Sequence, residues 1–287
     1  MKTFFKLYFI FFISVTNYSQ TFLNDDKLNV FILAGQSNMS GAADALNLTK
    51  EDLNQLSYAQ KNISIVYNGN KPIPLSVTIP PNWKKKKFKL DSCFGPEIFF
   101  GIELSKKYPT KKFLFIKRSK GGSSLYGSWN PNWTKNKAKY VGELNKPKLF
   151  YDLVNDTNKA LSKYKESDYQ IRGMLWVQGE SDSSQRWGPL PSETYFENLK
   201  NLINASRIKF KNPKMPFMIM QVGSNKIVKA MKNVSNELNN VIFIPQSKDK
   251  SSNNFLSKRE DNIHYNYLGM KKIGILFSQE FNKINNK

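Results

Sequence analysis

The chain has 287 residues, of which 40% are hydrophobic, so it can form a packed core and is not an intrinsically disordered protein. A single cysteine, Cys93, and a single histidine, His264, exclude an intramolecular disulfide and argue against a zinc site, and we expect neither a metal nor a cofactor. The formal net charge of +22 attracts polyanions, but no nucleic-acid motif accompanies the scattered lysines, so we expect no nucleic-acid partner.

The N-terminus has the pattern of a secretory signal. Two lysines precede a short apolar stretch at residues 7–15, and small polar residues follow it up to Ser19. The apolar stretch is shorter than the roughly 20 residues that a membrane-spanning helix needs. We therefore expect a signal peptide at 1–19, a single domain over 20–287, no stable membrane span after cleavage, and a secreted or periplasmic protein. The alternative is an uncleaved membrane anchor.

The first strand of the expected domain ends at a serine. Residues 30–34 (VFILA) are a continuous apolar run bounded by Gly35, which predicts a buried strand. Ser37 lies on the turn that follows. In open α/β sheets ligands bind at the carboxyl ends of the strands, so the hydroxyl of Ser37 is expected to face a cleft. For one serine considered alone, an ordinary polar turn is the simpler interpretation.

Strands and helices alternate along the rest of the chain. Apolar runs predict further strands at 63–67, 113–117, 171–177, 217–222 and 241–245. Helix signals predict helices at 47–59, 97–107, 147–163, 192–210, 226–239 and 267–281. We interpret residues 68–89 as an irregular surface excursion and 126–145 as a loop. The alternation predicts an α/β three-layer sandwich with a mostly parallel central sheet of about five strands.

Candidate catalytic residues lie at the two ends of the chain. A serine nucleophile needs a general base and a group that orients this base. His264 is the only possible imidazole base, and Asp261 precedes it by three residues, a spacing that brings the two side chains together in a loop or first helical turn. Glu180 is a rival to Asp261 as the orienting carboxylate. For an isolated histidine, a structural role would be the simpler interpretation.

Three further residues could donate hydrogen bonds to an oxyanion. Gly121 and Gly122 follow a predicted strand and let the backbone approach a ligand closely, although an ordinary turn would use the same residues. The amide of Gln178 also follows a strand, where it could alternatively cap the backbone. Glu180 and Asp182, in the same loop, could bind substrate or act as structural pins.

Four short blocks together resemble the SGNH hydrolase superfamily. They are Gly35–Met39 (GQSNM), Gly121-Gly122, residues 178–182 (QGESD) and the Asp261-x-x-His264 pair. In detail they are similar to the sialate O-acetylesterase and acetylxylan esterase branch, carbohydrate esterase family 6, and residues 95–97 (GPE) resemble another segment of that family. The resemblance spans residues 30–281. It implies a flavodoxin-like SGNH hydrolase fold and a metal-independent serine esterase that removes O-acetyl groups from a carbohydrate.

The resemblance also implies roles for individual residues. Ser37 would be the nucleophile, His264 the base and Asp261 its partner. The oxyanion hole would combine the backbone N–H of Ser37, one of Gly121 or Gly122, and Gln178, although superfamily members usually carry Asn at the last of these positions. The residues expected to bind substrate or to support the site are Gln36, Asn38, Glu97, Glu180 and Asp182.

Our main hypothesis is therefore a secreted serine O-acetylesterase acting on a polysaccharide or sialoside through an acetyl-enzyme. The alternatives are an esterase for another acyl group, a catalytically silent glycan-binding module with Trp129 and Trp133 as its platform, and polyanion binding driven by charge alone. Burial is the simpler interpretation of the two tryptophans. The basic run Lys84–Lys87 could attract an acidic glycan, although a solvated loop is the simpler interpretation. The oligomeric state is not predicted.

Overall fold

The structure is a computed structural model that describes Leu23 and residues 26–285. The predicted signal peptide at 1–19 lies outside the described residues. The single domain expected over 20–287 stays a prediction. No helix in the described part of the chain is long and apolar enough to cross a membrane.

A seven-stranded sheet forms the centre of the fold. The strands are β1 (Leu28–Gly35), β2 (Ala43–Asp44), β3 (Ile63–Tyr67), β4 (Ile73–Pro74), β5 (Cys93–Phe94), β6 (Phe113–Ser119), β7 (Tyr169–Val177), β8 (Phe217–Met220) and β9 (Val241–Ile244). The order across the sheet is β4-β3-β6-β1-β7-β8-β9, and β2 pairs with β5 separately. Only β4 runs antiparallel to its neighbour in the large sheet. The predicted mostly parallel α/β sheet is thereby confirmed.

The sheet has two strands more than the roughly five expected. Six strands overlap apolar runs in the sequence, whereas β4 lies in the segment 68–89 that we predicted to be irregular. A two-residue strand is too short to show an apolar pattern. Its Pro74 lacks a backbone N–H, which suits an edge strand that needs no further partner.

Helices flank the sheet. They are α1 (Ser37–Ser40), α2 (Lys50–Ala59), α3 (Asn82–Phe88), α4 (Glu97–Lys107), α5 (Lys135–Tyr140), α6 (Leu149–Leu161), α7 (Leu190–Glu193), α8 (Tyr195–Lys209), α9 (Asn225–Glu237) and α10 (Tyr267–Asn285). α4 packs against α2 and α10, while α8 packs against α9. α3 and α5 correct the sequence interpretation, because they lie in segments predicted to be irregular or loop.

The start of α2 is fixed by a capping box. The Thr49 hydroxyl accepts a hydrogen bond from the Asp52 N–H at 3.1 Å, and the Asp52 carboxylate accepts one from the Thr49 N–H at 3.1 Å. This reciprocal pair satisfies two backbone donors that a helix start leaves free. The helix predicted over 47–59 is present, but it begins at Lys50, because Thr49 caps it there.

The core is built around β1. Residues 30–34 are fully buried, which is why the sequence shows a continuous apolar run rather than an alternating one. The ring of Phe31 meets Phe100 on α4 and Phe281 on α10 edge to face, with centroids 5.0 and 4.8 Å apart. α4 and α10, which follow β1 far along the chain, therefore both pack against this first strand.

The strand order brings three motifs together. β6, β1 and β7 are adjacent and parallel, and Gly35 at the end of β1 is in register with Ser119 and Val177. The serine turn, the glycine pair and the 178–182 loop follow these strands at the same edge of the sheet. One cleft can therefore be lined by residues that are far apart in the sequence.

Candidate active site

Ser37 begins the short helix α1 directly after β1. A Cβ atom on Gly35 would lie 2.1 Å from the carbonyl oxygen of Val177, so only glycine fits where β1 ends against β7. The Gln36 N–H donates to that same carbonyl at 3.0 Å. The tight turn leaves Ser37 half-buried at the carboxyl edge of the sheet.

Asp261 and His264 form a hydrogen-bonded pair. Asp261 Oδ2 lies 2.6 Å from His264 Nδ1, while Oδ1 accepts from the backbone N–H groups of His264 and Ile263 at 2.9 and 3.0 Å. Between them, Asn262 has a φ of 55°, a left-handed conformation that Asn tolerates better than most residues. The turn therefore fixes the carboxylate against one nitrogen of the ring.

This network also sets the charge of the carboxylate. Partial burial acts to raise the pKa of Asp261, but the hydrogen bonds from His264 and Ile263 outweigh it and hold the pKa at about 2. Asp261 is consequently ionised at neutral pH.

Asn38 ties the histidine segment to the serine turn. Its side-chain Nδ2 donates to the carbonyl of Ile263 at 3.1 Å, and its Oδ1 accepts from the N–H of Tyr265 at 3.2 Å. The same Nδ2 donates to Glu180 Oε1 at 2.6 Å. Asn38 therefore holds both neighbours of His264 next to Ser37, and Glu180 bonds to Asn38 rather than standing in Asp261's place at Nδ1.

The histidine ring packs under helix α3. Phe88, the last residue of α3, contacts His264 edge to face with ring centroids 4.8 Å apart. The carbonyl of His264 accepts from the Arg259 N–H at 2.7 Å. The ring is 7% exposed, so its position is fixed by packing as well as by hydrogen bonds.

The glycine pair lies against the serine. A Cβ atom built on Gly121 would be 3.7 Å from Ser37 Cβ. Gly122 has a φ of 65° and open space where a side chain would be. The Lys146 ammonium donates to the Gly122 carbonyl at 2.6 Å, and the Lys120 N–H donates to the Gly35 carbonyl at 3.2 Å. The structure therefore brings together the predicted turn and the predicted nucleophile.

Gln178 differs from the sequence expectation. Its side chain is fully buried, and Nε2 donates to Asp182 at 2.6 Å and to the Ser123 carbonyl at 3.1 Å, with Gln36 Oε1 at 3.3 Å. Both amide hydrogens thus have acceptors inside the protein. To donate to an oxyanion, as predicted, the Gln178 amide would have to give up these hydrogen bonds. In the structure its contacts support the loop that follows Gly122.

Gln36 has a similar supporting position. It is 3% exposed, and its side-chain oxygen accepts from the N–H of Ser181 at 3.2 Å as well as from Gln178. These contacts join the serine turn to the 178–182 loop. The sequence left open whether Gln36 binds substrate or supports the site, and the burial of its side chain favours support.

Asp182 holds the loop after the glycine pair. Its carboxylate accepts from the N–H groups of Leu125 and Tyr126 at 2.8 and 2.9 Å. Burial raises the pKa of Asp182 to about 7, although the hydrogen bonds from Leu125, Gln178 and Tyr126 favour the ionised form. The side chain is 1% exposed, so Asp182 is a structural pin rather than a substrate ligand.

A second pin, Glu143, was missed in the sequence. Its two oxygens accept from the N–H groups of Ser124 and Ser128, both at 2.8 Å, and Lys146 lies 3.2 Å away. Glu143 stands in a segment with no motif, and its role depends on contacts with backbone groups 15 and 19 residues earlier. No sequence signal identifies such contacts.

Glu97 is a buried support. Its carboxylate is 2.6 Å from the Lys117 ammonium and accepts from the Gly95 N–H at 3.0 Å. Burial lowers the pKa of Lys117, and the charge of Glu97 counteracts this effect. Because Glu97 is fully buried, it stabilises the start of α4 and does not face the cleft.

The aromatic residues of the site are not those that the sequence suggested. Trp129 is fully buried and donates its indole N–H to Ser123 Oγ at 3.0 Å, so it is wrong as a glycan platform. Trp133 is half-buried, with the Lys148 ammonium 4.0 Å above its ring. Trp83 on α3, which the sequence analysis did not single out, is 59% exposed.

The basic run is also different from a solvated loop. Residues 84–87 lie on α3, and Lys84 is buried with its ammonium donating to the carbonyl of Gly41.

Among the residues that the structure describes, no group of three or more His, Cys, Asp or Glu could hold a metal ion. What the arrangement offers chemically is a histidine held by a carboxylate, on a segment that Asn38 ties to the serine turn.

Comparison with known proteins gives one family and a shared fold. The family model of a carbohydrate esterase, described as sialic acid-specific acetylesterase, matches residues 27–283. No curated protein matches the chain significantly.

Solved structures share the architecture at low sequence identity. A protein from Arabidopsis thaliana is similar with a TM-score of 0.65 and 19% identity, over 90% of this chain and 98% of that one. NanS is similar with a TM-score of 0.60 and 16% identity, over 90% and 98%. A carbohydrate acetylesterase from Xanthomonas citri has a TM-score of 0.52 and 15% identity, over 87% of this chain and 54% of that one. At these identities the likeness supports the fold alone.

Proposed function

Because the chain belongs to the carbohydrate esterase family of sialic acid-specific acetylesterases, we propose that it removes O-acetyl groups from a carbohydrate through an acetyl-enzyme at Ser37. The membership confirms the resemblance to the sialate O-acetylesterase branch and makes the protein a carbohydrate O-acetylesterase, a carboxylic ester hydrolase. What remains to be proposed is the serine mechanism and the residues that perform it.

The observation that carries the proposed mechanism is the connection from Asp261 through His264 to the serine turn. Asp261 occupies Nδ1 of the ring at 2.6 Å, which leaves Nε2 as the nitrogen for the serine hydroxyl. Asn38 fixes both flanks of His264 to the residue next to Ser37. A histidine oriented in this way is a suitable general base.

In the first half of the reaction, Ser37 Oγ attacks the acetyl carbonyl carbon while its proton moves to His264. Negative charge develops on the carbonyl oxygen, and we assign the backbone N–H groups of Ser37 and Gly121 as its donors, since Gly121 lies beside Ser37. The tetrahedral intermediate collapses with release of the sugar hydroxyl, which takes the proton from His264. Ser37 then carries the acetyl group.

In the second half, water attacks the acetyl-enzyme. His264 takes a proton from this water and returns it to Ser37 Oγ as acetate leaves. Asp261 stays ionised throughout because its pKa is about 2, and it stabilises the imidazolium that forms twice in each cycle.

The N-terminal segment supports a proposal about location. A basic start and a short apolar stretch favour export with cleavage near residue 19, and a secreted or periplasmic enzyme. Sequencing the N-terminus of the exported protein checks this. A start at residue 20 or 21 is expected, and retention of residue 1 would contradict it.

The test of the mechanism is acetate release by the wild type and by Ser37→Ala. The substrates are acetylated xylan, acetylated pectin, an O-acetylated sialoside and an aryl acetate. We expect the variant to lose at least about a thousandfold in kcat/KM while keeping the wild-type circular dichroism spectrum. Full activity in the folded variant would overturn the assignment of Ser37. Faster hydrolysis of a long-chain aryl ester than of the aryl acetate would point to another esterase, and no release from any substrate would point to a glycan-binding module.

A further inference from the structure

Helix α3 is fixed beside the catalytic histidine by its inner face. Lys84 and Phe88 are four residues apart, so they lie on one face of the helix. The Lys84 ammonium donates to the carbonyl of Gly41 and lies 3.4 Å from Cys93 Sγ, and the ring of Phe88 contacts His264. Arg259 donates to the Phe88 carbonyl at 2.8 Å. The inner face therefore anchors α3 at several points.

The outer face of α3 carries an indole ring and two ammonium groups. Lys86 and Lys87 follow Trp83 by three and four residues, so the three side chains share one exposed face of the helix, and the Lys87 ammonium also lies 5.1 Å from the centre of the Phe88 ring. All three side chains are exposed, and Trp83 is 59% exposed. The exposed indole ring of Trp83 offers a large flat apolar surface on which a ligand can stack.

Trp83 stands beside the nucleophile. A methyl group built on Gly121 would lie 3.7 Å from Ser37 Cβ and 3.9 Å from the indole ring of Trp83. Gly121 has no side chain, so the space between the ring and the serine is open. A sugar whose ester is at Ser37 would place its own ring, or that of the next residue, against the indole.

On the basis of the proposed function, we propose that the outer face of α3, formed by Trp83, Lys86 and Lys87, binds an anionic glycan next to the scissile ester. The indole ring stacks on the C–H face of a sugar, and the two ammonium groups pair with carboxylates along the same chain. Charge complementarity argues for an anionic occupant, because the outer face of α3 carries no acidic residue and the chain has a net charge of +22.

The first test separates glycan binding from chemistry. Trp83→Ala should raise KM for acetylated pectin roughly tenfold and leave kcat/KM for a small aryl acetate within about twofold. Tyr58→Ala is the matched control. Tyr58 is 69% exposed, but it lies near the end of α2, just before the amino end of β3, whereas the candidate site lies at the carboxyl ends of the strands. Equal losses on both substrates would overturn the proposal, as would an unchanged KM for the glycan.

The second test addresses the charge. The double variant Lys86→Gln/Lys87→Gln should raise KM for acetylated pectin about fivefold or more, reduce its dependence on salt, and leave acetylated xylan unaffected. Lys61→Gln/Lys107→Gln removes the same charge from exposed lysines near the other edge of the sheet and should change neither substrate. Equal effects of the two double variants, or equal effects on the two glycans, would contradict an anionic subsite on α3.

A binding measurement keeps this inference separate from the proposed function. Calorimetric titration with an acetylated oligogalacturonide compares Ser37→Ala with Ser37→Ala/Trp83→Ala, so no turnover is needed. A loss of affinity of about tenfold supports the surface even if the wild type releases no acetate. Equal affinity overturns it even if the serine mechanism is correct.

Discussion

A single asparagine connects the parts of this site. Asn38 bonds to the residues on both sides of His264 and to Glu180, and it is the next residue after Ser37. The nucleophile and the base are thereby held by one side chain, whereas the orientation of the imidazole ring depends on Asp261. The two carboxylates of the site should consequently respond very differently to substitution.

Asp261→Asn is expected to reduce kcat/KM by on the order of a thousandfold, because an amide can neither stabilise the imidazolium nor hold the correct tautomer. Glu180→Gln keeps an oxygen that can accept from Asn38, so its loss should stay within about tenfold. Aryl acetate hydrolysis measures both, with near-ultraviolet circular dichroism as the control for folding. A loss in Glu180→Gln as large as that in Asp261→Asn would contradict the assignment of the orienting carboxylate.

The residues that we propose as catalytic could be identified from the sequence, whereas the support Glu143 could not. Ser37 is recognisable because it directly follows an apolar strand, and Asp261 and His264 because they are only three residues apart. Glu143 acts through backbone groups of a distant loop, and no local pattern marks it. Gln178 was assigned from its place after a strand, but the direction of its amide is set by Ser123 and Asp182 from other parts of the fold.

At the scale of elements, the loop after the glycine pair is held by two buried carboxylates. Asp182 accepts from the backbone of Leu125 and Tyr126, and Glu143 accepts from the backbone of Ser124 and Ser128. The loop is thus fixed from both sides just behind Gly121 and Gly122. Its stability should depend on the charge of Asp182.

The pKa of Asp182 is raised from 3.8 to about 7 in the folded protein. The folded state therefore holds the proton more tightly than the unfolded state, so this group favours folding below pH 3.8 and loses that contribution as the pH rises to about 7. The full change is on the order of 4 kcal/mol. Urea unfolding measures the free energy of unfolding of the wild type and of Asp182→Asn. The difference in favour of the wild type should decrease from about pH 4.5 to 7 and stay constant above pH 7.

Asp249→Asn is the control for this measurement. Asp249 is exposed, and hydrogen bonds from Ser251 lower its pKa, so its contribution is already complete above pH 3.8 and should not change over the tested range. An advantage of the wild type over Asp182→Asn that stays constant or grows with pH would contradict the raised pKa of Asp182.

The strands and long helices were predictable, whereas the short elements were not. Residues 30–34 form a recognisable strand because they are buried on both faces. α3 has four consecutive lysines and only two large apolar residues, so it shows no amphipathic pattern. It becomes a helix because Lys84 and Phe88 find partners at Gly41 and His264, which are distant in the sequence. The same tertiary contacts leave Trp83 exposed.

At the scale of the whole molecule, the positive charge opposes compaction. The 44 Lys and Arg residues are twice as many as the 22 Asp and Glu residues, so the positive charges are only partly offset and repel one another. Screening by salt should reduce this repulsion more than it weakens the few surface ion pairs.

The melting temperature is therefore expected to rise by several degrees when sodium chloride is increased from about 50 to about 300 mM at pH 7. Calorimetry at the two concentrations measures the shift. Near pH 9.8, the isoelectric point of the sequence, the same salt increase should have a smaller effect. A melting temperature that falls with salt at pH 7 would show that ion pairs dominate over repulsion.

The central position of β1 has a consequence for how the protein is made. β1 precedes both of its neighbours in the chain, and its partners β6 and β7 begin at Phe113 and Tyr169. During synthesis, one edge of β1 therefore stays unpaired until β6 has emerged, and the other stays unpaired until more than half of the chain has emerged, which favours pairing between nascent chains. The excess of lysine along the sequence keeps such chains apart, so the charge that costs stability in the finished protein protects it while it is incomplete.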